Sequence, residues 1–309
     1  MKVLVTPRSF GKSDPGLFDR LEKAGLEVIR NNSGGILNEE AMCRLAADCE
    51  AVILGVDPMN IRVLEAAPRL KAISKYGVGT DNIDLEECKK RGIKVSRTVG
   101  ANSDAVADYA FALMLAVARR IVQIDRRCHE RDWGKTPCLD VHGRVLGLIG
   151  LGAIGKRMVE RAKGFNMKIL AADPNWDADF ARQNGLEQAS VDDICRNADF
   201  ISLHCVLTPE TRHIINAARI GQMGPETIFV NTARGELVDE DALLDALKKK
   251  AIFGAGLDVF EKEPPENPDW YKLDNVIMGS HCSSSTKGAT NLMGKMAVDN
   301  LLRDLGIQK

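Results

Sequence analysis

The sequence predicts an α/β protein of two domains, each built around a parallel β-sheet. The chain has 309 residues, which is enough for two domains of ~150 residues each. Short apolar, β-branched segments alternate with helical patterns in two series, and a long apolar helical pattern from Asp104 to about Arg127 separates them. Strands that alternate with helices at this spacing pair into parallel sheets.

The first series fills the N-terminal third of the chain. Asn38 and Asn60 stand immediately before helical patterns, where an amide side chain can cap the first turn, and Gly92 follows the end of another such pattern. The predicted strands of this series are residues 3–5, 27–29, 51–54, 70–73 and 94–96.

The second series begins after the separating helix, and a further helical pattern over residues 289–305 follows it. We therefore expect residues 1–99 and 285–309 to form one domain and residues 100–284 to form the other. The chain would then cross between the domains twice. The predicted strands of the second series are residues 145–149, 168–172, 200–203, 227–230, 253–259 and 276–278.

Composition narrows the classes of function. The 42 Lys and Arg against 43 Asp and Glu give a net charge of −1, which does not favour a nucleic-acid or membrane surface. The eight cysteines form no CxxC pair and the five histidines lack ligand spacing, so no metal site is expected. The longest apolar run, from Tyr109 to Ala118, is shorter than the ~20 residues that span a bilayer, and the N-terminus lacks a signal-peptide pattern. We expect a cytoplasmic protein with reduced thiols.

A glycine-rich run, Gly150-Leu151-Gly152-Ala153-Ile154-Gly155, directly follows a predicted strand and opens a predicted helix. In such a run the first glycine makes the tight turn, the second lets the backbone approach a pyrophosphate, and the third allows close packing of helix on strand. Ordinary strand–helix turns also contain glycines, but this context favours a Rossmann-like dinucleotide site at the positive end of the helix.

The residue after the next predicted strand indicates which dinucleotide is bound. Asp173 lies 18 residues beyond Gly155, where an acidic side chain can accept hydrogen bonds from the adenosine ribose. No Arg or Lys stands among residues 174–176 to hold a 2′-phosphate. The sequence therefore predicts NAD rather than NADP as the cofactor.

Three later segments carry groups suited to hydride transfer at a 2-oxo acid, which needs a cation for the carbonyl and carboxylate, a proton donor and a partner that orients the donor. These segments are residues 231–235, 261–265 and 279–281. Each segment taken singly also has an ordinary structural interpretation. A single arginine is more often a surface charge, a glutamate before two prolines is more often a loop residue, and a single histidine is more often structural.

Six sequence segments that occur in a fixed order span essentially the whole chain. They are residues 76–84, 150–155, 207–212, 230–240, 256–261 and His281. In these the sequence resembles the D-isomer-specific 2-hydroxyacid dehydrogenases, and within them the D-3-phosphoglycerate dehydrogenase branch. The resemblance implies an NAD-dependent oxidoreductase that moves a hydride between the nicotinamide and C2 of a small 2-hydroxy or 2-oxo acid. It also implies two Rossmann-like domains, an active site in the interdomain cleft, and a homodimer joined through the helical region 105–127.

The resemblance assigns roles to individual residues. Arg234 would hold the substrate carboxylate and carbonyl oxygen, His281 would be the acid/base, and Glu263 would hydrogen-bond the imidazole and keep its pKa high enough to deliver a proton near neutrality. Asp258 would fix the nicotinamide carboxamide. The loop of Tyr76, Gly77, Val78 and Gly79 in the substrate domain would receive the substrate carboxylate through its backbone. Other positions that the resemblance places at the cofactor are His204, Cys205, Thr208, Thr232 and Ala233.

The sequence departs from the family at several points. Cys282, Ser283 and Ser284 stand where the family usually has Ile-Gly-Gly after the histidine, and Ser280 and Val206 replace common prolines. Residues 55–58 lack the arginine that holds the phosphate in phosphoglycerate dehydrogenases, although Arg8 and Lys12 could supply that charge.

Three functions follow from these observations. The leading one is a 3-phosphoglycerate dehydrogenase-like enzyme, and the alternative is a hydroxypyruvate or glyoxylate reductase. The third, of another class, is an NAD-sensing corepressor of the C-terminal-binding-protein type, which keeps the same Arg, Glu and His. The expected lack of disordered tails at either end argues against the corepressor.

Overall fold

The computed structural model describes residues 1–307, and the chain divides into two compact units. Unit 1 comprises Met1–Asn102 together with the chain from Ser284 onward, and unit 2 comprises Ser103–Ser283. Each unit contains one parallel sheet flanked by helices, which confirms the predicted α/β fold class. Gln308 and Lys309, which the sequence-based boundaries assign to the first domain, lie outside the described residues.

Unit 1 has a five-stranded parallel sheet in the order β2-β1-β3-β4-β5. Asn38 and Asn60 cap their helices by accepting the N–H groups of Ala41 and Val63, as predicted. The strands are β1 (Lys2–Val5), β2 (Glu27–Arg30), β3 (Ala51–Leu54), β4 (Ala72–Lys75) and β5 (Lys94–Arg97). The helices are α1 (Gly16–Lys23), α2 (Glu39–Ala46), α3 (Ile61–Ala66), α4 (Leu85–Lys90) and the C-terminal α12 (Lys287–Asp304).

Unit 2 has a seven-stranded parallel sheet in the order β12-β11-β10-β9-β6-β7-β8. The strands are β6 (Val145–Ile149), β7 (Lys168–Ala172), β8 (Glu187–Gln188), β9 (Phe200–Leu203), β10 (Ile228–Asn231), β11 (Gly254–Leu257) and β12 (Val276–Met278). The helices are α5 (Ser103–Ala118), α6 (Ile121–His129), α7 (Ala153–Lys163), α8 (Ala178–Asn184), α9 (Val191–Asn197), α10 (Ala217–Ile220) and α11 (Glu240–Lys248). Short 3₁₀ turns lie at Gly235–Leu237 and Trp270–Lys272.

The strand order of unit 2 locates its binding edge. From β6 the chain runs to β7 on one side and later to β9 on the other, so the direction of winding reverses between β6 and β9. In open parallel sheets, ligands bind outside the carboxyl ends of the strands at such a reversal. Apolar side chains pack on both faces of the sheet, with α5 and α7 on one face and α9 and α11 on the other.

The prediction of one helix from Asp104 to about Arg127 is wrong. The structure has two helices, α5 and α6, and the break lies at Arg120, whose φ of 49° is left-handed. The two helices also differ in environment, because α5 has many buried side chains whereas α6 has none. The apolar pattern that runs through both helices hid this break. Within residues 1–307, no helix is long and apolar enough to cross a membrane.

Candidate active site

The predicted site residues of unit 2 follow the carboxyl ends of strands. Gly150 follows β6, Asp173 follows β7, His204 follows β9, Thr232 follows β10 and Asp258 follows β11. All these strands are parallel neighbours, so their carboxyl ends lie along one edge of the sheet. The chain after β12 leads to His281 at the same edge.

The glycine-rich turn has the geometry that dinucleotide binding needs. Gly150 has a φ of 101°, and a Cβ there would collide with the backbone of Cys205. A Cβ at Gly155 would collide with the carbonyl of Gly150. A Cβ on Gly152 would have no atom of the described residues within 4 Å. Helix α7 begins at Ala153 with no side-chain cap. The first and third glycines thus permit close packing, while the second leaves the positive helix end open to a pyrophosphate.

Asp173 lies beside this turn in a fixed orientation. Its Oδ2 accepts the Leu151 N–H at 2.7 Å and its Oδ1 accepts the Asn175 N–H at 2.7 Å. A carboxylate that accepts two backbone hydrogen bonds cannot rotate freely. It therefore presents its remaining acceptor positions in one direction, as recognition of ribose hydroxyls requires.

Two buried polar atoms at this edge fit a polar cofactor. Within the described part of the chain, His204 Nδ1 and Thr232 Oγ1 are buried without a hydrogen-bond partner. A buried polar atom left unpaired costs about 1–3 kcal/mol, so such atoms at a ligand-binding edge indicate groups that a ligand satisfies. Together with the open turn at Gly152, they fit a bound dinucleotide.

His204 is a neutral side chain. Burial lowers its pKa to about 3, and its Nε2 lies 2.9 Å from Ser202 Oγ. An imidazole in this environment is neutral near pH 7, with a proton on only one of its two ring nitrogens. It is therefore unsuited to serve as a second acid in place of His281.

The other positions that the resemblance placed at the cofactor lie on two short loops. Cys205 follows His204, and burial raises the pKa of its thiol to about 11, so the thiol stays protonated. Thr208 opens a turn in which its carbonyl accepts the Arg212 N–H at 2.9 Å. Ala233 follows β10, and its N–H donates to Asn231 Oδ1 at 3.0 Å.

His281 and Glu263 form a hydrogen-bonded pair. His281 Nδ1 lies 2.9 Å from Oε2 and 3.1 Å from Oε1 of Glu263. Burial raises the pKa of Glu263, but the hydrogen bond and charge of His281, the Phe260 N–H and the charge of Arg234 outweigh burial and hold the pKa below its usual value. Glu263 is therefore a carboxylate near neutrality. It occupies Nδ1 and leaves Nε2 as the nitrogen that can exchange a proton with a substrate.

Arg234 lies on the segment next to this pair. Its NH1 donates to the carbonyl of Ala233 at 2.6 Å, and Asn231 Nδ2 donates to the carbonyl of Arg234 at 2.8 Å. Gly235 packs so closely on the backbone of Phe260 that a Cβ would collide with it. The structure thus brings the segments that carry Arg234, Glu263 and His281 together after the adjacent strands β10, β11 and β12.

Asp258 holds the turn that carries His281, a contact that the sequence analysis missed. Asp258 is fully buried. Its carbonyl accepts the His281 N–H at 2.8 Å, and its carboxylate accepts the N–H groups of Cys282 at 3.0 Å and Ser283 at 2.9 Å. His281 has a φ of 55°, a conformation that is uncommon for residues other than glycine and persists where its surroundings hold it. A role of Asp258 at the nicotinamide carboxamide stays a prediction.

The loop at residues 76–79 lies in unit 1, directly after β4. Gly77 has a φ of 136°, and its N–H donates to Thr98 Oγ1 at 2.9 Å. The Tyr76 hydroxyl donates to the carbonyl of Thr290 at 2.9 Å. Because the Gly77 N–H is already used, the N–H groups for a substrate carboxylate would come from Val78 and Gly79.

A dinucleotide-binding turn and an ordered Arg, Glu and His at the same sheet edge define unit 2 as the cofactor-binding half of a dehydrogenase. Comparison with known families is more specific. The family model for the D-isomer-specific 2-hydroxyacid dehydrogenases, NAD-binding domain, matches residues 111–283, and the chain belongs to this family. The predicted family, its NAD-dependent enzyme class and its cofactor are thereby confirmed.

Relatives of the chain extend the match beyond unit 2. The glyoxylate reductase of Korarchaeum cryptofilum (strain OPF8) is 43% identical over 263 residues, which cover 82% of this chain and 79% of that protein. The D-3-phosphoglycerate dehydrogenase of Methanocaldococcus jannaschii is 39% identical over 274 residues, which cover 88% of this chain but 52% of that protein. The crystal structure of a D-lactate dehydrogenase from Aquifex aeolicus complexed with NAD and lactic acid has a TM-score of 0.86 and 30% identity, with 96% and 93% of the two chains covered.

Proposed function

We propose that this dehydrogenase reduces glyoxylate, or a similarly small 2-oxo acid such as hydroxypyruvate, with NADH. The observation that carries the proposal is the hydrogen bond between His281 Nδ1 and Glu263 at the edge of the NAD-binding sheet, next to Arg234. The match to a glyoxylate reductase over most of both chains supports the choice of substrate.

The residues divide the chemistry among them. Arg234 binds the carboxylate and the carbonyl oxygen of the 2-oxo acid, because a guanidinium presents paired donors to both. His281 donates a proton from Nε2 to the carbonyl oxygen. A bound NADH would supply the hydride that C2 accepts. Glu263 keeps the imidazole oriented and stabilises its protonated form. In the reverse direction, neutral His281 accepts the hydroxyl proton.

The end of β3 supports a substrate without a phosphate. The expected phosphate-binding arginine is absent from residues 55–58, and Asp57 there is buried. The nearby cation, Lys75, is also buried, and its Nζ donates to Asn82 Oδ1 at 2.8 Å and to the carbonyl of Gly55. This strand end supplies no arginine for a phosphate, so that charge would have to come from the exposed Arg8 and Lys12. With the glyoxylate reductase match, this favours a small 2-oxo acid over 3-phosphoglycerate, the reverse of the predicted order.

Groups from both units would bind the substrate. Val78 and Gly79 would supply backbone N–H groups from unit 1, and Arg234 with His281 would supply charge and proton from unit 2. In this arrangement unit 1 is the substrate domain.

The surface of α6 supports a homodimer joined through this region. The side chains of Ile121 and Val122 are 53% and 44% exposed, and Trp133 in the following segment is 80% exposed. Exposed apolar side chains mark an interaction site where they form a contiguous patch. A second copy of the chain would cover them.

Cysteine chemistry supports a cytoplasmic location. The eight cysteines are all free thiols, and three of them, Cys49, Cys88 and Cys195, are buried. Reducing compartments maintain thiols in this form, whereas exported proteins use cysteines in disulfides.

A comparison of four 2-oxo acids with NADH tests the proposed function. We expect glyoxylate or hydroxypyruvate to have a kcat/KM at least about tenfold above that of 3-phosphohydroxypyruvate, which corresponds to ~1.4 kcal/mol of transition-state discrimination. Pyruvate serves as the unphosphorylated control with a methyl group. A preference for 3-phosphohydroxypyruvate would contradict the substrate assignment, and no turnover of any 2-oxo acid would contradict the activity itself.

A further inference from the structure

The segment that carries Glu263 is held at Glu261 from two directions. Glu240, the first residue of α11, accepts the Glu261 N–H through Oε1 at 2.6 Å. The side chain of Glu261 points to another loop, where its Oε1 lies 2.8 Å from His213 Nε2 and 3.3 Å from Arg212 NH2. Both the backbone and the carboxylate of Glu261 are thus fixed two residues before Glu263.

The same contacts connect this segment to the one that carries Arg234. His213 donates its N–H to the carbonyl of Glu236 at 2.9 Å, so its backbone and its ring together span Glu236 and Glu261. Gly235 lies against the backbone of Glu261, where a Cβ would collide. The segments 212–213, 234–240 and 261–263 therefore meet at Glu261. The second carries Arg234 and the third carries Glu263.

Capping of α11 does not account for Glu240. Asp239 is the N-cap of this helix, and its side chain accepts the Ala242 N–H at 3.1 Å. The carboxylate of Glu240 is therefore available for the loop. Its hydrogen bond to Glu261 joins α11 to the segment 260–263 rather than closing the helix.

We propose that Glu240 is a positioning residue for Glu263: together with His213, it holds Glu261 so that the carboxylate of Glu263 stays on His281 Nδ1. This inference rests on the proposed function, because it assumes that the pair formed by Glu263 and His281 moves the proton. Glu240 acts through the backbone of Glu261 and need not touch the substrate.

The carboxyl of Glu240 is only partly ionised near neutrality. Burial raises its pKa to about 7, in opposition to the Glu261 N–H, and the carboxylates of Glu261, Glu236 and Asp241 add to the rise. Arg212 and His213 face this cluster through Glu261. A glutamine would avoid the cost of a buried charge and keep an oxygen acceptor, so the positioning role requires the hydrogen bond to the Glu261 N–H rather than the charge.

The experiment compares Glu240→Ala, which removes the acceptor, with Glu240→Gln, which keeps an oxygen acceptor without the charge. Asp245→Asn is the matched control, because Asp245 lies on the same helix and pairs with the exposed Lys249 at 2.6 Å. For each variant, kcat with the best 2-oxo acid, the Kd of NADH and the thermal midpoint are measured.

We expect Glu240→Ala to lower kcat about tenfold, since small displacements of catalytic groups cost one to two orders of magnitude. The Kd of NADH in Glu240→Ala and the kcat of the control Asp245→Asn should each change by less than about twofold. Glu240→Gln should have a kcat within about threefold of the unaltered protein. In a Glu263→Gln background, Glu240→Ala should have little further effect, because two residues that act through one contact are not additive. A kcat near normal in Glu240→Ala, or additive losses, would overturn the proposal.

A second readout separates this inference from the proposed function. Titration of His281, followed by NMR with ¹³C-labelled histidine and assigned with His281→Asn, needs no turnover. We expect its midpoint to move to lower pH in Glu240→Ala but not in Glu240→Gln or Asp245→Asn. An unchanged midpoint in folded Glu240→Ala overturns the positioning role even if the enzyme is inactive on every 2-oxo acid. If Glu240→Ala does not fold, His213→Ala tests the second contact to Glu261 by the same criteria.

Discussion

The imidazole of His281 is bound through Nδ1 to the carboxylate of Glu263 at 2.9 Å, and the two side chains are 36% and 37% exposed. The pair is thus neither sealed in the core nor fully solvated. The hydrogen bond and charge of His281 help to hold the pKa of the carboxylate below its usual value in spite of burial. An acid that is anchored on one nitrogen and accessible to a ligand on the other can deliver a proton to a bound 2-oxo acid.

Replacement of the proposed acid tests its contribution. We expect His281→Asn to lower kcat for reduction by ~10²–10⁴, the usual contribution of a positioned acid. NADH binding should be nearly intact, because the glycine-rich turn and Asp173 lie on other strands. Stopped-flow turnover and NADH fluorescence measure the two quantities. Near-normal turnover would mean that a residue other than His281 carries the proton.

Replacement of Glu263, the partner of His281, should change the pH dependence of the rate of reduction. The interaction that lowers the pKa of Glu263 also favours the protonated imidazole, because each charge stabilises the other. In Glu263→Gln the neutral amide no longer stabilises the protonated imidazole. The rate of reduction should therefore begin to fall at a lower pH. Initial rates between pH 5 and 9 measure this. A profile that keeps its midpoint would show that Glu263 does not act on His281.

We expect the cofactor preference to depend on Asp173. We expect NADH to be favoured over NADPH, because this carboxylate would repel a 2′-phosphate and residues 174–176 offer no cation to offset it. Asp173→Ala should weaken NADH binding and narrow the preference. Asp177→Ala is a suitable control, since Asp177 lies near the same loop but pairs with Lys156. Comparable kcat/KM values for the two cofactors in the unaltered protein would contradict this assignment.

Asp258 should contribute to both stability and catalysis. Asp258→Asn leaves one oxygen acceptor where the carboxylate now accepts the N–H groups of both Cys282 and Ser283. A buried donor without an acceptor costs about 1–3 kcal/mol, so the free energy of unfolding should fall by that amount. Because the same turn carries His281, kcat should fall as well. Urea unfolding and steady-state kinetics test the two effects, and a change in stability without one in kcat would limit Asp258 to a structural role.

Local chemistry could be read from the sequence, while contacts between distant segments could not. The glycine-rich turn and Asp173 were identified because their residue types and spacing are themselves the requirement for binding. The hydrogen bond from the Cys282 N–H to the carboxylate of Asp258 joins residues far apart in the chain. It depends on the pairing of β11 with β12. The neutral state of His204 depends on burial, which no motif records.

The boundaries of elements show the same limit. Strand β4 covers Ala72–Lys75 rather than residues 70–73, because Ser74 and Lys75 are polar and yet buried. Strand β8 is only Glu187–Gln188, too short and polar to produce an apolar pattern. In both cases tertiary pairing overrides the local preference of the residues.

The most direct test of the account measures kcat/KM in both directions across pH. If His281 is the acid/base, reduction of the 2-oxo acid needs the protonated imidazole and oxidation of the 2-hydroxy acid needs the neutral form. We expect the rate of reduction to fall and the rate of oxidation to rise with pH about one shared ionisation, and both dependences to disappear in His281→Asn. Profiles that run in the same direction, or that persist in His281→Asn, would contradict it.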